Sequence, residues 1–171
     1  MNYIRFLPFI VLVTLLGLFG FTLVMGHADK TSQMVGQTLP DFSVMIAGQP
    51  TETLTPTTMK KPALLVFWAS WCGVCKVDLP HVGRFAKENN LPLYGIAYRD
   101  QPDMLRAAVA NLQPNVTFAG LGDDKDGDTS SRFGLIGVPT LFAIDKDGII
   151  RAVKAGQASE RDLDDMLATI R

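Results

Sequence analysis

Residues 63–76 read Ala-Leu-Leu-Val-Phe-Trp-Ala-Ser-Trp-Cys-Gly-Val-Cys-Lys. Ala63 to Ala69 is a continuous apolar run, the pattern of a central strand buried on both faces. Helical composition follows from Gly73 to Asn89, with a kink predicted at Pro80. Between them stand Cys72 and Cys75, the only 2 cysteines of the 171-residue chain. A thiol at a helix N-terminus faces unpaired N–H groups and the positive end of the dipole, which stabilise its thiolate. A thiolate is the attacking species in disulfide exchange. Cys75, one turn inside the helix, is close enough to resolve a mixed disulfide. This assigns Cys72 as nucleophile, Cys75 as resolving thiol, and the pair as a redox-active disulfide. The competing uses fit less well. A purely structural bridge seldom closes so short a loop. Zinc needs two more ligands, which the 2 histidines could supply only if all four residues converged. Covalent haem attachment needs a histidine after the second cysteine, where this chain has Lys76.

Outward from this stretch the pattern is mixed. Asp41 to Ala47 reads as a short strand, and Thr51 to Pro62 as loop. Leu93 to Tyr98 is a second buried strand. A helix over Pro102–Leu112 has Asp100 near its cap and proline early in its first turn. Val116–Ala119 is a weak strand, and a turn or short helix lies near 126–134. Thr140–Ile144 and Ile149–Val153 form a hairpin about Asp145-Lys146-Asp147-Gly148. Ser159-Glu160-Arg161-Asp162 resembles a capping box before an amphipathic helix bearing Leu163, Met166, Leu167 and Ile170. The order β-α-β-α-β-β-α predicts an α/β domain with a mixed sheet.

The apolar residues are concentrated at the N-terminus. Phe6 to Met25 carries no charge and is long enough, as a helix of roughly 30 Å, to span a hydrocarbon core. Arg5 and the amino terminus precede it, so the positive-inside rule leaves the N-terminus in the cytoplasm and exports the rest. The rival reading is a signal peptide cleaved after Ala28; the run is longer than a usual secretory h-region. Residues 1–25 are therefore expected to be an anchor or signal segment, 26–38 a polar tether, and 39–171 the folded domain. With 16 Lys+Arg against 17 Asp+Glu, charge gives no reason to invoke nucleic acid.

Three further elements bear on the site. Asp78 stands three residues after Cys75, on the same side of the helix. Desolvated, it would have a raised pKa and could take the Cys75 proton; otherwise it is a solvated surface acid. Pro139, at the entrance of a strand after Val138, suits either a cis bond or a trans strand-start proline. Trp71 adjoins Cys72 and is expected to shield it, while Trp68 is expected in the core. His81 reads as a surface or half-buried histidine. Asp123 to Asp128 has the look of a calcium loop, but Gly122 and Phe133 occupy two of the ligand positions, so it reads as a solvated loop.

Together these residues resemble the thioredoxin superfamily, and more narrowly its membrane-anchored exported branch. The resemblance runs through Phe67–Lys76, Asp78-Leu79-Pro80, Tyr98-Arg99-Asp100, Phe133–Thr140 and Ile144–Arg151, over residues 39–170. It is nearest to the cytochrome c biogenesis proteins of the DsbE/CcmG type, with TlpA/ResA-like reductases as neighbours. It implies a thioredoxin-like mixed sheet flanked by helices, with an N-terminal strand extension and a membrane helix. It implies a cis Pro139, an acid role for Asp78, and a client groove along Trp71, Gly73, Val74, Val138, Pro139 and Thr140. The activity implied is reduction of the haem-binding cysteines of apocytochrome c, or of other exported thiol proteins. No bound cofactor is required, because the dithiol is the redox group. A membrane electron donor of the DsbD/CcdA type would recharge it, at the periplasmic side of a bacterial inner membrane. Two positions depart from the pattern. Val66 replaces the buried aspartate of common thioredoxins, which shifts proton handling to Asp78. Thr140 stands where DsbE/CcmG proteins often have an acid and is frequent among TlpA/ResA-like reductases. Leu39-Pro40-Asp41-Phe42 also occurs in peroxiredoxin-like chains, whose peroxidatic motif is not this C-x-x-C. A non-redox protein holding apocytochrome or haem is the reading from another class.

Overall fold

The computed structural model describes residues 9, 11–17, 30–112 and 115–171, the side chain of residue 50 excepted. Its strands are β1 (Val44–Ile46), β2 (Gln49–Leu54), β3 (Ala63–Trp68), β4 (Leu93–Tyr98), β5 (Gly120–Asp124), β6 (Thr140–Ile144) and β7 (Ile150–Ala155). The helices after Leu54 are α1 (Gly73–Glu88), α2 (Pro102–Leu112), α3 (Asp128–Arg132) and α4 (Glu160–Ile170). The strands make one sheet in the order β2-β1-β5-β4-β3-β6-β7.

β3, β4 and β5 are parallel neighbours, and β6 returns antiparallel beside β3. Both parallel crossovers step in the same direction across the sheet. Right-handed connections then place α1 and α2 on one face. Leu64, Val66 and Trp68 of β3 pack there with Cys75, Leu79, Val82 and Ala86 of α1, Leu105, Ala108 and Leu112 of α2, and Leu163, Met166 and Ile170 of α4. The alternate residues Leu65 and Phe67 face the other way, among Phe133, Phe142, Ile96 and Ile144. The rings of Phe67, Phe133 and Phe142 meet there at centroid distances of 4.9–5.6 Å. Both cores pin β3, so the C-x-x-C leaves the sheet from its most constrained strand.

α1 continues through Pro80 as one helix. It ends where Asn90 enters the left-handed region at φ 54° and Leu91 N–H donates to the Ala86 carbonyl at 2.8 Å. The β6–β7 turn closes as expected, Gly148 at φ 80° donating to the Asp145 carbonyl at 3.1 Å. The capping box of α4 is formed in full by Ser159 and Asp162.

Three segments differ from the reading of the sequence. Residues 51–54, expected as loop, belong to the edge strand β2, paired antiparallel to β1. Their polarity and Pro50 suit a strand with one free edge. The strand expected at 116–119 lies at Gly120–Asp124 instead. Its glycines hide it: the Val44 side chain occupies the space a Cβ on Gly122 would need, and Tyr94 and Leu54 press on Gly120. Close packing has replaced side chains that would have signalled a strand. The stretch expected as a tether is docked from Thr31 onward. Thr31 Oγ1 donates to the Gly134 carbonyl at 2.5 Å, and Met34 is buried after a single 3-10 turn over Ser32–Met34. Gly36 N–H donates to Ile150 O at 2.8 Å, and Ile150 N–H returns a bond to Gln37 O at 2.9 Å.

Phe9 and residues 11–17 are helical. The rest of the Phe6–Met25 segment lies outside the described residues, as does the Ala28 cleavage position. Among the described residues no helix is long and apolar enough to cross a membrane.

Candidate functional site

Cys72 is the N-cap of α1, with extended backbone at φ −85°, ψ 108°. Its sulfur accepts the Cys75 N–H at 3.1 Å, so one of the helix's orphan donors points at it. The two cysteines form a disulfide with Cα atoms 5.3 Å apart. Their environments differ: Cys72 is 7% exposed and Cys75 is fully buried. Cys72 Sγ also lies 3.7 Å from the Val138 carbonyl oxygen. The loop before β6 thus reaches the disulfide. The Val138–Pro139 bond is cis, and so is Lys61–Pro62, which the sequence did not single out. Thr140 is buried and its hydroxyl donates to Gly137 O at 2.7 Å. Gly73 and Val74 are exposed beside the sulfurs. Trp71, Val74 and Ile136 are exposed large apolar residues on the segments that carry Cys72 and Val138.

The turn carrying Ser70 and Trp71 is fastened from β4. Asp100, buried just past that strand, accepts the Ser70 N–H and hydroxyl, both at 2.5 Å, and the Gln101 N–H at 2.9 Å. The Trp71 indole N–H donates to the Arg99 carbonyl at 3.4 Å, and the ring sits 6.4 Å from that of Tyr98. Sequence reasoning took Asp100 only as a helix cap. Its signal was the hydroxyl of Ser70 just ahead of Trp71, which needs a buried acceptor.

Asp78 is buried on the inward face of α1, beside Cys75 in the helical spacing. It is not a solvated surface acid. It accepts the Ala158 N–H at 3.0 Å. Burial pushes its pKa up from the ordinary 3.8, while the Ala158 N–H, His81 and Lys154 oppose the rise. His81 is half-buried on the same helix. Trp68 is buried and stacks on Phe118 at 5.8 Å. In the acidic loop, Asp124 spends its carboxylate on the start of α3. It accepts Thr129 N–H at 3.1 Å, Ser130 N–H at 2.8 Å and the Ser130 hydroxyl at 2.6 Å.

An N-capping cysteine with slight exposure, a fully buried partner behind it and a nearby carbonyl edge can take part in thiol–disulfide exchange. A family model described as Redoxin matches residues 34–170. The chain belongs to the Redoxin family. Within it, this Redoxin chain is 30% identical over 173 residues to the thiol:disulfide interchange protein DsbE of Vibrio cholerae serotype O1, covering 98% of this chain and 92% of that one. It is 32% identical over 160 residues to the thiol-disulfide oxidoreductase ResA of Bacillus thuringiensis, covering 89% and 88%. Among solved structures, a thio-disulfide isomerase from Thermus thermophilus superposes with a TM-score of 0.64 at 35% identity, over 78% of this chain and 94% of that one. The fold is therefore thioredoxin-like, and the Redoxin chain is a thiol–disulfide oxidoreductase of the DsbE/ResA type.

Proposed function

We propose that the protein is a membrane-anchored, exported reductase of client disulfides, with the haem-binding cysteines of apocytochrome c as its client class. The observation that carries the direction of attack is the unequal exposure of the two cysteines, 7% for Cys72 and 0% for Cys75. In the reduced protein the Cys72 thiolate attacks one client sulfur, forming a mixed disulfide and expelling the other client sulfur as a thiolate. Cys75 then loses its proton, with buried Asp78 as the nearest base on its helix face, and attacks Cys72. The second client thiolate leaves and the Cys72–Cys75 disulfide forms. Two electrons pass to the client, and a membrane dithiol donor of the DsbD/CcdA type returns them. The exposed Trp71, Val74 and Ile136 side chains and the Val138 carbonyl offer the client apolar contact and a backbone edge.

Export and anchoring rest on the uncharged Phe6–Met25 run after Arg5. Thr140 and the ResA relative support a second reading, with the same chemistry on other exported clients such as copper-site cysteines. Cys75→Ser tests the roles. It should accumulate mixed disulfides through Cys72, because nothing resolves them. If Cys72→Ser traps as well or better, the assignment is wrong. A Cys72→Ser, Cys75→Ser double variant that still supports cytochrome maturation would favour a holding protein.

A further inference from the structure

Arg99, whose backbone carbonyl accepts the indole N–H of Trp71 next to Cys72, forms no ion pair among the described residues. Its backbone sits at φ 45°, in the left-handed region that non-glycine residues rarely adopt. Two hydrogen bonds fix that bend. Arg99 N–H donates to Asp124 O at 3.0 Å, and Arg99 O receives the Trp71 indole at 3.4 Å. The guanidinium lies 5.4 Å from the centroid of the Tyr98 ring. It also covers Gly127, its Nε only 2.7 Å from where a Cβ there would stand. Arg99 is exposed, and its guanidinium rests against Tyr98 and Gly127, where a ligand can reach it.

Among the described residues no carboxylate pairs with Arg99, although acids surround it. Asp100 is taken by Ser70 and Gln101, and Asp124 by the start of α3. Asp123 pairs with Lys125 at 3.8 Å and Asp103 with Arg106 at 3.4 Å. Asp126 and Asp128 flank Gly127, exposed, and neither pairs with Arg99. Lys76 is a second exposed cation on α1, just past Cys75. We propose that Arg99, with Trp71 and Tyr98, is a specificity site that receives a client carboxylate close to the disulfide being reduced. A planar, always-charged fork matches a carboxylate in two parallel hydrogen bonds, and in a polypeptide client that group is an Asp or Glu side chain.

The proposal deepens the disulfide-reductase reading and rests on it. Its test uses the reduced full-length protein and synthetic peptides with one internal disulfide, differing only in Glu, Gln or Lys beside the first cysteine. Each rate is divided by that with dithiothreitol, which removes the peptide's own reactivity. At low salt the second-order rate constant of this single turnover should fall in the order Glu, Gln, Lys, by roughly two- to fivefold per step, the scale of an exposed ion pair. At about 0.5 M salt the steps should shrink through screening. Arg99→Gln should reduce the Glu and Gln peptides equally, and Arg99→Lys should keep part of the preference. Equal Glu and Gln values in the wild type, or a Glu preference that survives in Arg99→Gln, would overturn the specificity site. Failure to reduce any of the three would overturn the reductase reading itself.

Discussion

Asp78 places an ionisable group where water does not reach, and its consequences divide by pH. Its folded pKa lies above the ordinary 3.8, so the folded state holds that proton more tightly than the unfolded chain does. Stability is therefore lost as pH rises from about 4 through the raised value. Asp78→Asn keeps an oxygen for the Ala158 N–H and removes the buried charge. It should melt higher than wild type near pH 7 and equally below about pH 4, as calorimetry across that range would show. Its rate should move the opposite way. A free thiol of pKa about 8.5 is only a few per cent ionised at neutral pH, so loss of a local base should slow client release roughly tenfold there. Near pH 9 the two proteins should converge, because Cys75 then ionises unaided. A constant ratio across the series, or a faster variant near pH 7, would make Asp78 a structural acid only. Asp100→Ala is a contrasting case. It strands the buried Ser70 N–H and should cost about 1–3 kcal/mol in urea unfolding. It should also free the Trp71 turn and slow attack by Cys72.

At the scale of elements, α4 is set by its first turn. Ser159 and Asp162 exchange bonds, and Lys154 of β7 reaches Asp162 at 2.9 Å. The Ser159 hydroxyl, then Lys154, hold the Asp162 carboxyl at about 2. A depressed folded pKa contributes stability above the unfolded value that is lost as pH falls through about 2. Ser159→Ala should therefore destabilise the protein near neutral pH and do so less near pH 2, measured by urea midpoints. This helix was legible because its signals are local: a cap, an acid three residues on, and Leu163, Met166, Leu167 and Ile170 in helical spacing. β3 and β4 were legible because burial on both faces leaves an unbroken apolar run. β2 and β5 were not. β2 is a polar edge strand whose order comes from pairing with β1, and β5 keeps glycines so that Val44 and Tyr94 can approach. Their identity lies in contacts with distant residues, which no local pattern carries. The same holds for Asp100. Its partner Ser70 is thirty residues away, whereas Cys72 and Cys75 announce themselves within one turn.

For the whole molecule, residues 31–38 belong to the folded body. A chain beginning at Asp29 should keep the stability of the exported domain. One beginning at Asp41 should lose about 1.5–3 kcal/mol from Met34 alone, with a further loss from the bonds at Gly36 and Gln37. Urea unfolding of the two would separate them. The full chain should stay with membranes through alkaline extraction. A mature N-terminus found at Asp29 would show cleavage after Ala28 and end the anchor reading. On the proposed anchor reading, the Thr31–Gly134 bond would also set a working height. Were the anchor to end at Met25, only residues 26–30 would separate the bilayer from the folded body. At about 3.4 Å per residue, that leash is at most roughly 17 Å long. The catalytic edge would then patrol a thin layer against the membrane, and it would meet clients as they emerge or while they are still tethered there themselves.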